Sequence, residues 1–182
     1  MTIPSRVVII GNSGSGKSHL AAQITQKDNR LVIALDDLFW LPGGFNQKRS
    51  AEEVRAQIAT LQNKECWVVE GVFGDLAQQF FTNAELLIWL DMDWKTCRSS
   101  LIERGSETKQ LDVIAAETAF GKLIAWASEY WTRSTPSSHA GHHKLVSEFA
   151  GATEVFTERS QVQAFSKRSD RRCDQSSATS SD

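Results

Sequence analysis

A glycine-rich octapeptide near the start of the chain constrains its fold more than any other feature. Residues 11–18 read GNSGSGKS and match the phosphate-binding loop pattern G-x-x-x-x-G-K-[ST] in full. Glycines let backbone N–H groups approach an anion without a Cβ in the way. Lys17 is expected to contact the β- and γ-phosphates, and the Ser18 hydroxyl is expected to bind Mg²⁺. The sequence therefore predicts a site for a nucleoside triphosphate.

The residues on both sides of this loop fit the strand and the helix that it requires. Residues 6–10 are an apolar, largely β-branched run, as expected of a strand buried on both faces. Residues 18–26 are typical of a helix with Leu20, Ala21 and Ile24 on one side. The positive end of this helix would point at the phosphates. A dinucleotide-binding G-x-G-x-x-G interpretation fails, because His19 stands at its last glycine position.

The predicted nucleotide-binding residues begin with the whole loop. They are Gly11, Asn12, Ser13, Gly14, Ser15, Gly16, Lys17 and Ser18. His19 is grouped with them, although its position beyond the phosphate contacts also fits a helix surface. The expected ligands are ATP and Mg²⁺.

Composition limits the partners of the chain. Its 182 residues favour one domain, and a net charge of −2 gives no strong attraction to nucleic acid or acidic membranes. No apolar run has the length of a membrane span, and no basic-then-apolar leader precedes the first strand, so we expect a cytoplasmic protein, monomeric or homodimeric. Residues 169–182 are polar and predict a disordered tail after a domain at 1–168.

Apolar runs of strand length alternate with helical patterns along the chain. The predicted strands are residues 6–10, 31–35, 66–69, 86–90 and a weaker fifth at 153–157. Further predicted helices are residues 51–61, 94–104, 112–131, 142–149 and 161–166. This β-α-β alternation predicts an α/β fold of three layers, with a parallel sheet between helices.

Carboxylates follow several of the predicted strands. Asp36 and Asp37 come after the second strand, Glu70 ends the third and Asp91 ends the fourth. Because the carboxyl ends of parallel strands share one edge, these acids should converge on the phosphate loop. Glu70 is the candidate to hold Mg²⁺ through water, beside the Ser18 hydroxyl, with helix capping or a solvated sheet edge as the alternative. Asp36 is the candidate to contact an acceptor or act as its base, with Asp37 as the neighbouring choice and helix capping as the alternative for both.

Other polar residues are assigned structural roles. Asp91 and Asp93 are interpreted as caps of the helix at residues 94–104. His139, His142 and His143 are interpreted as ordinary loop residues, because no fourth metal ligand is in view.

Four segments together resemble a known family. They are the phosphate loop, LDDLFWLPG at residues 35–43, WVVEG at 67–71 and IWLD at 88–91. Their order over roughly residues 6–168 is similar to that of the adenylate-kinase-related P-loop proteins known as FlaR-type "DNA topology modulation" proteins. The resemblance implies a P-loop NTPase fold of the nucleoside-monophosphate-kinase type, with a five-stranded parallel sheet in the order 2-3-1-4-5. It also implies that a purine nucleoside triphosphate is bound.

The resemblance also indicates which basic residues serve the reaction. In kinases of this type, arginines come from the helix after the fourth strand and from the lid beyond it. Arg104, at the end of that helix, is therefore the third predicted catalytic residue beside Lys17 and Asp36, with a solvated helix arginine as the alternative, and Arg133 is a weaker lid candidate. Arg159 follows the fifth strand, where relatives contact the base, so it is counted as nucleotide-binding, although a contact with backbone is the alternative.

The acceptor side is less defined by the sequence. Aromatic and basic residues flank the turn at residues 42–44, where they could line an acceptor pocket, pack in the core or form a solvated face. They are Phe39, Trp40, Phe45, Lys48, Arg49 and Arg55. The proline and arginine that follow Asp-Gly in adenylate kinases are absent after Gly71, which argues against an AMP-like acceptor.

These features favour a kinase that transfers the γ-phosphoryl group of Mg-ATP to a small-molecule or nucleotide acceptor. The alternative is a nucleotide-dependent switch or weak NTPase without a dedicated acceptor. A nucleic-acid-associated regulator is disfavoured by the balanced charge.

Overall fold

The computed structural model describes residues 3–26, 30–42, 47–105 and 113–167. Five strands form one parallel sheet in the order β2-β3-β1-β4-β5, which confirms the expected order. The strands are β1 (Arg6–Gly11), β2 (Leu31–Ala34), β3 (Trp67–Gly71), β4 (Leu86–Leu90) and β5 (Ala152–Phe156). The helices are α1 (Lys17–Thr25), α2 (Leu35–Phe39), α3 (Ala51–Leu61), α4 (Gly74–Gln78), α5 (Trp94–Arg104), α6 (Val113–Ser128), α7 (His139–Glu148) and α8 (Arg159–Ser166), with a 3₁₀ turn at Glu129–Trp131.

Two apolar cores lie on opposite faces of the sheet. Alternate residues of β1 enter different cores: Val8 and Ile10 pack with α2, α3, α4 and α7, whereas Val7 and Ile9 pack with α1, α5 and α8. Because both faces are covered, the central strands are apolar without alternation, as the sequence predicted. The three-layer α/β architecture is thereby confirmed.

The short helices α2 and α4 were not predicted. Each has five residues and follows a strand almost directly, so neither gives the helical periodicity that a longer helix would show. The predicted helix at residues 142–149 begins earlier, at His139, where the side chain of Ser138 accepts a hydrogen bond of 3.1 Å from the backbone N–H of Gly141. The three histidines therefore lie on a helix and not in a loop.

The domain boundary near residue 168 and the tail at 169–182 stay predictions, because residues beyond 167 lie outside the described part of the chain. Phe45 is also outside it. Among the helices that the structure describes, none combines the length and the apolar character needed to cross a membrane.

Candidate active site

The loop at residues 11–18 joins β1 to α1 and has the backbone of an anion cradle. Gly14 and Gly16 have φ angles of 78° and 98°, in the left-handed region that favours glycine. Gly16 is also the residue before the first turn of α1, where backbone N–H groups are not yet paired within the helix. A Cβ on Gly14 would collide with the carbonyl oxygen of Cys97 in α5. The loop therefore requires glycine both for its turn and for close packing.

Lys17 is the buried cation of this loop. Its Nζ donates a hydrogen bond of 2.9 Å to the carbonyl oxygen of Asn12, within the same loop. Burial lowers the pKa of Lys17, and the nearby carboxylates of Glu70 and Asp36 act in the opposite direction. The ammonium group thus lies near both acids that the sequence predicted at this edge of the sheet. A buried cation of this kind gains from an anionic ligand that replaces its lost water.

Ser18 and Glu70 are in direct contact. The Ser18 hydroxyl donates a hydrogen bond of 2.8 Å to Glu70 Oε1, and Glu70 itself is buried in β3. One hydroxyl and one carboxylate are oxygen ligands of the kind that Mg²⁺ accepts, and Mg²⁺ usually completes its shell with phosphate oxygens and water. No cluster of three or more carboxylate, histidine or cysteine ligands occurs among the described residues. The donor set therefore fits a nucleotide-bound Mg²⁺.

Asp36 lies in the first turn of α2, directly after β2. It is partly buried, whereas its neighbour Asp37 is exposed. Burial raises the pKa of Asp36; the charge of Lys17 lowers this pKa and that of Glu70 raises it. Of the two aspartates, Asp36 thus shares the local electrostatic field of the phosphate loop.

An aromatic cluster is built on α2, the helix that carries Asp36. The ring of Phe39 stacks on that of Phe73 with centroids 4.4 Å apart, and Trp40 meets Phe39 edge-on at 4.7 Å. The ammonium group of Lys48 lies 5.2 Å from the centroid of the Phe39 ring. Phe73 follows the end of β3 by two residues, so the cluster links the α2 segment to the strand that carries Glu70.

Arg104 is the last residue of α5 and is exposed. Burial dominates the pKa shifts of Lys17 and Asp36, and the positive charge of Arg104 lowers both pKa values. Arg104 is therefore within electrostatic reach of the two other predicted catalytic residues.

Arg159 and His19 differ in their surroundings. Arg159 donates from Nη2 to the Gly14 carbonyl oxygen and to Ser100 Oγ, both at 2.9 Å, and from Nη1 to the Ser15 carbonyl oxygen. Its described contacts are thus with loop backbone and with α5. His19 is exposed on the first turn of α1.

The structure also contains a buried polar chain that the sequence did not reveal. Trp89 Nε1 donates a hydrogen bond of 3.1 Å to the Tyr130 hydroxyl, which lies 2.7 Å from His142 Nδ1. His142 Nε2 lies 3.0 Å from the carbonyl oxygen of Val72 and donates to it. Because Val72 directly follows β3, this chain attaches α7 to the strand end that carries Glu70. Spacing along the sequence gave no indication of it, since the partners come from four separate segments.

The assignment of both Asp91 and Asp93 as helix caps was only half correct. Asp93 caps α5 by accepting a hydrogen bond of 2.7 Å from the backbone N–H of Thr96. Asp91 instead pairs with His139, whose Nε2 lies 3.2 Å from Asp91 Oδ1. The ring of His139 also packs against Trp89, with centroids 5.0 Å apart. Because Asp93, two residues nearer to α5, caps that helix, the carboxylate of Asp91 can pair with His139 at the start of α7.

Asn12 connects the phosphate loop to α6. Its Nδ2 donates a hydrogen bond of 2.9 Å to the carbonyl oxygen of Ala127, and its Oδ1 accepts one of 2.8 Å from the backbone N–H of Ser13. Asn12 is almost fully buried, so its polar atoms are satisfied within the protein.

No protein-family model and no curated protein matches this chain. Solved structures do resemble it. A gluconokinase from Sinorhizobium meliloti superposes with a TM-score of 0.53 at 14% identity, over 92% of this chain and 90% of that chain. A shikimate kinase from Acinetobacter baumannii, in complex with shikimate, gives 0.53 at 13% identity over 91% and 90%. A sugar kinase from Janibacter gives 0.50 at 11% identity over 91% and 92%. At such identities the likeness shows a shared P-loop kinase fold.

Proposed function

We propose that this chain is a kinase that transfers the γ-phosphoryl group of Mg-ATP to a hydroxyl group of a small molecule. The observation that carries the proposal is the convergence of Lys17, Glu70 and Asp36, a cation for phosphate, a carboxylate for Mg²⁺ and a partly buried carboxylate for an acceptor. The kinase fold of the similar structures supports the same class of reaction.

The donor half of the reaction uses the phosphate loop. Its backbone N–H groups and the N-terminus of α1 bind phosphate oxygens, and Lys17 exchanges its bond with the Asn12 carbonyl for the β- and γ-phosphates. Mg²⁺, when bound, neutralises charge on the phosphates, and Ser18 and Glu70 would hold it. Arg104 and Lys17 stabilise the charge on the transferring group.

The acceptor half uses Asp36. An oxygen of its carboxylate accepts the hydroxyl proton of the acceptor while the acceptor oxygen bonds to the γ-phosphorus. The bond from that phosphorus to the β–γ bridging oxygen breaks, and ADP leaves. The stacked rings of Phe39 and Phe73 lie on α2, which carries Asp36, and just after β3, which carries Glu70, so we assign them to an apolar wall that suits an acceptor with one apolar face.

The FlaR-type family is part of the same proposal. Its support is the order of the four sequence motifs together with the sheet order, while the similar structures support the fold alone. We do not assign to this chain the DNA-topology role in that family's name, because a net charge of −2 gives no basis for DNA binding.

An acceptor screen tests the proposal against the alternative of a weak NTPase. The protein is incubated with Mg-ATP and a panel of sugars, hydroxy acids, nucleosides and nucleotides, and ADP release is followed. A kinase releases ADP much faster with one chemical class than with the others. An equal rate of ADP release with every compound and with none would identify the NTPase. Lys17→Met, which removes the phosphate-binding cation, serves as the inactive control.

A further inference from the structure

The side chain of Arg159 forms hydrogen bonds with the backbone of the phosphate loop. Arg159 is the first residue of α8, 145 residues along the chain from Gly14, yet its guanidinium donates to the carbonyl oxygens of Gly14 and Ser15. A third hydrogen bond, of 2.9 Å, goes to Ser100 Oγ in α5. A Cβ added to Gly16 would collide with Nη1 of the same guanidinium, so the side chain lies close against the loop.

The geometry of the peptide unit gives this contact a consequence for phosphate binding. In a trans peptide, the carbonyl of one residue and the N–H of the next point in opposite directions. Holding the carbonyls of Gly14 and Ser15 toward Arg159 therefore turns the N–H groups of Ser15 and Gly16 the other way, away from the guanidinium. Successive N–H groups turned to one side are the form of an anion-binding nest. Within the loop, the Ser15 N–H donates a hydrogen bond of 3.2 Å to the Asn12 carbonyl oxygen, which also accepts from Lys17 Nζ, so a bound phosphate would replace Asn12 as the partner of both donors.

We propose that Arg159 is a positioning residue that holds the phosphate loop in its phosphate-binding form through two backbone carbonyls, without contacting the base of the nucleotide. The proposal deepens the proposed function and rests on nucleotide binding at residues 11–18. Under this proposal α8 contributes to the ATP site, because the conformation of the phosphate loop depends on the side chain of Arg159, the first residue of that helix.

Arginine suits this task better than lysine. Its planar guanidinium presents several donors in a fixed fork, so one side chain bonds two carbonyls and a hydroxyl at once. An ammonium group carries the same charge, but it is a point charge on a flexible stem and does not fix two neighbouring peptide units together.

Binding of three ligands separates positioning from base contact. The dissociation constants of Mg-ATP, Mg-GTP and inorganic tripolyphosphate with Mg²⁺ are measured by calorimetry for the wild type, Arg159→Ala, Arg159→Lys and the control Ser100→Ala. Because the loop loses charge-assisted hydrogen bonds, Arg159→Ala is expected to weaken all three ligands by about tenfold, with the ATP-to-GTP ratio unchanged. Arg159→Lys should restore only part of this loss. Ser100→Ala, which retains both carbonyl contacts, should stay within about twofold of the wild type.

Several results would overturn the proposal. Unchanged tripolyphosphate affinity with a changed ATP-to-GTP ratio would assign Arg159 to the base. Full recovery of affinity by lysine would make charge alone sufficient. Unfolding of both Arg159 variants, measured by circular dichroism, would make the contact a general stability element instead. Absence of ATP binding in the wild type is a separate outcome, because it removes the proposed function itself.

Discussion

The hydroxyl of Ser18 donates a hydrogen bond of 2.8 Å to Oε1 of Glu70. This bond joins the first turn of α1 to β3, the direct neighbour of β1 in the sheet. In the protein without nucleotide it gives the buried carboxylate a partner. The same two side chains are those that we propose to hold Mg²⁺, so under that proposal the strand order brings both of them together before the metal binds.

Replacing Glu70 with Gln should raise the Mg²⁺ concentration that ADP release requires. Glutamine has nearly the same shape and still accepts a hydrogen bond from Ser18, but it lacks the negative charge. At limiting Mg²⁺ we expect the rate of ADP release to fall by about 10–100-fold. The measurement is a Mg²⁺ titration of that rate, with the exposed Glu52→Gln as the matched control. A Mg²⁺ dependence equal to that of the wild type would remove Glu70 from the metal site.

Replacing Lys17 with Met should affect binding and stability in opposite directions. Burial lowers the pKa of Lys17, so the charged side chain is held at a cost in the folded state. We expect Lys17→Met to retain or raise the melting temperature while ATP affinity falls about 30-fold or more, the equivalent of one charged hydrogen bond. Calorimetric binding and thermal unfolding check the two effects, and the exposed Lys95→Met is the control. Retained ATP affinity would mean that the loop does not bind phosphates as proposed.

The two adjacent aspartates offer a matched pair. Asp36→Asn should lower turnover by about 10²–10⁴-fold with little change in ATP affinity, because a general base is lost. Asp37→Asn alters an exposed neighbour and should leave turnover near that of the wild type. Steady-state kinetics with the best acceptor of the screen make the comparison. Equal effects of the two substitutions would contradict the role of Asp36.

The pH profile of the wild type provides a further check on Asp36. Burial raises the pKa of Asp36 above its ordinary value of 3.8, and a base must be ionised to act. We therefore expect kcat/KM to fall on the acid side with a midpoint above that value. An acid-side midpoint of kcat/KM at or below pH 3.8 would show that a group other than Asp36 limits the reaction.

His142 should make stability depend on pH. Burial lowers the pKa of His142 to about 3 from its ordinary 6.5, while the hydrogen bond to Val72 acts in the opposite direction. Below pH 6.5 the His142 ring is protonated in the unfolded chain but stays neutral in the folded protein. The free energy of unfolding therefore falls as the pH drops from 6.5 toward 3. The slope from this residue approaches about 1.4 kcal/mol per pH unit.

Urea unfolding between pH 7 and 4 measures this effect. His142→Gln should show a shallower decline than the wild type, whereas the exposed His143→Gln should follow the wild-type curve. Equal slopes for all three proteins would mean that His142 is protonated in the folded state or is not buried there.

The fold was predictable from the sequence because its strands are continuous apolar runs. The run at residues 86–90 coincides with β4, and the other strands begin or end within two residues of their predicted limits. Helices of ten or more residues are also indicated by the helical spacing of their apolar residues, as in α3 and α5. The five-residue helix α2 does not, because one turn carrying two aspartates looks the same as a capped loop.

The site was predictable only where topology fixes it. A loop after β1 and acids at the ends of β2 and β3 must meet at one edge of a parallel sheet, so the approach of Asp36 and Glu70 to Lys17 follows from strand order. The contacts of Arg159 and His142 join segments 145 and 70 residues apart and depend on how helices pack. No local pattern encodes such pairs.

The fate of the γ-phosphoryl group tests the central claim most directly. The wild type and Asp36→Asn are incubated with ATP labelled in the γ-phosphate, Mg²⁺ and the compounds of the acceptor panel, and the label is located by chromatography. The proposal predicts that the wild type places the label on a small organic molecule and that Asp36→Asn loses this product while still binding ATP. Label found in inorganic phosphate alone, at the same rate for both proteins, would contradict it.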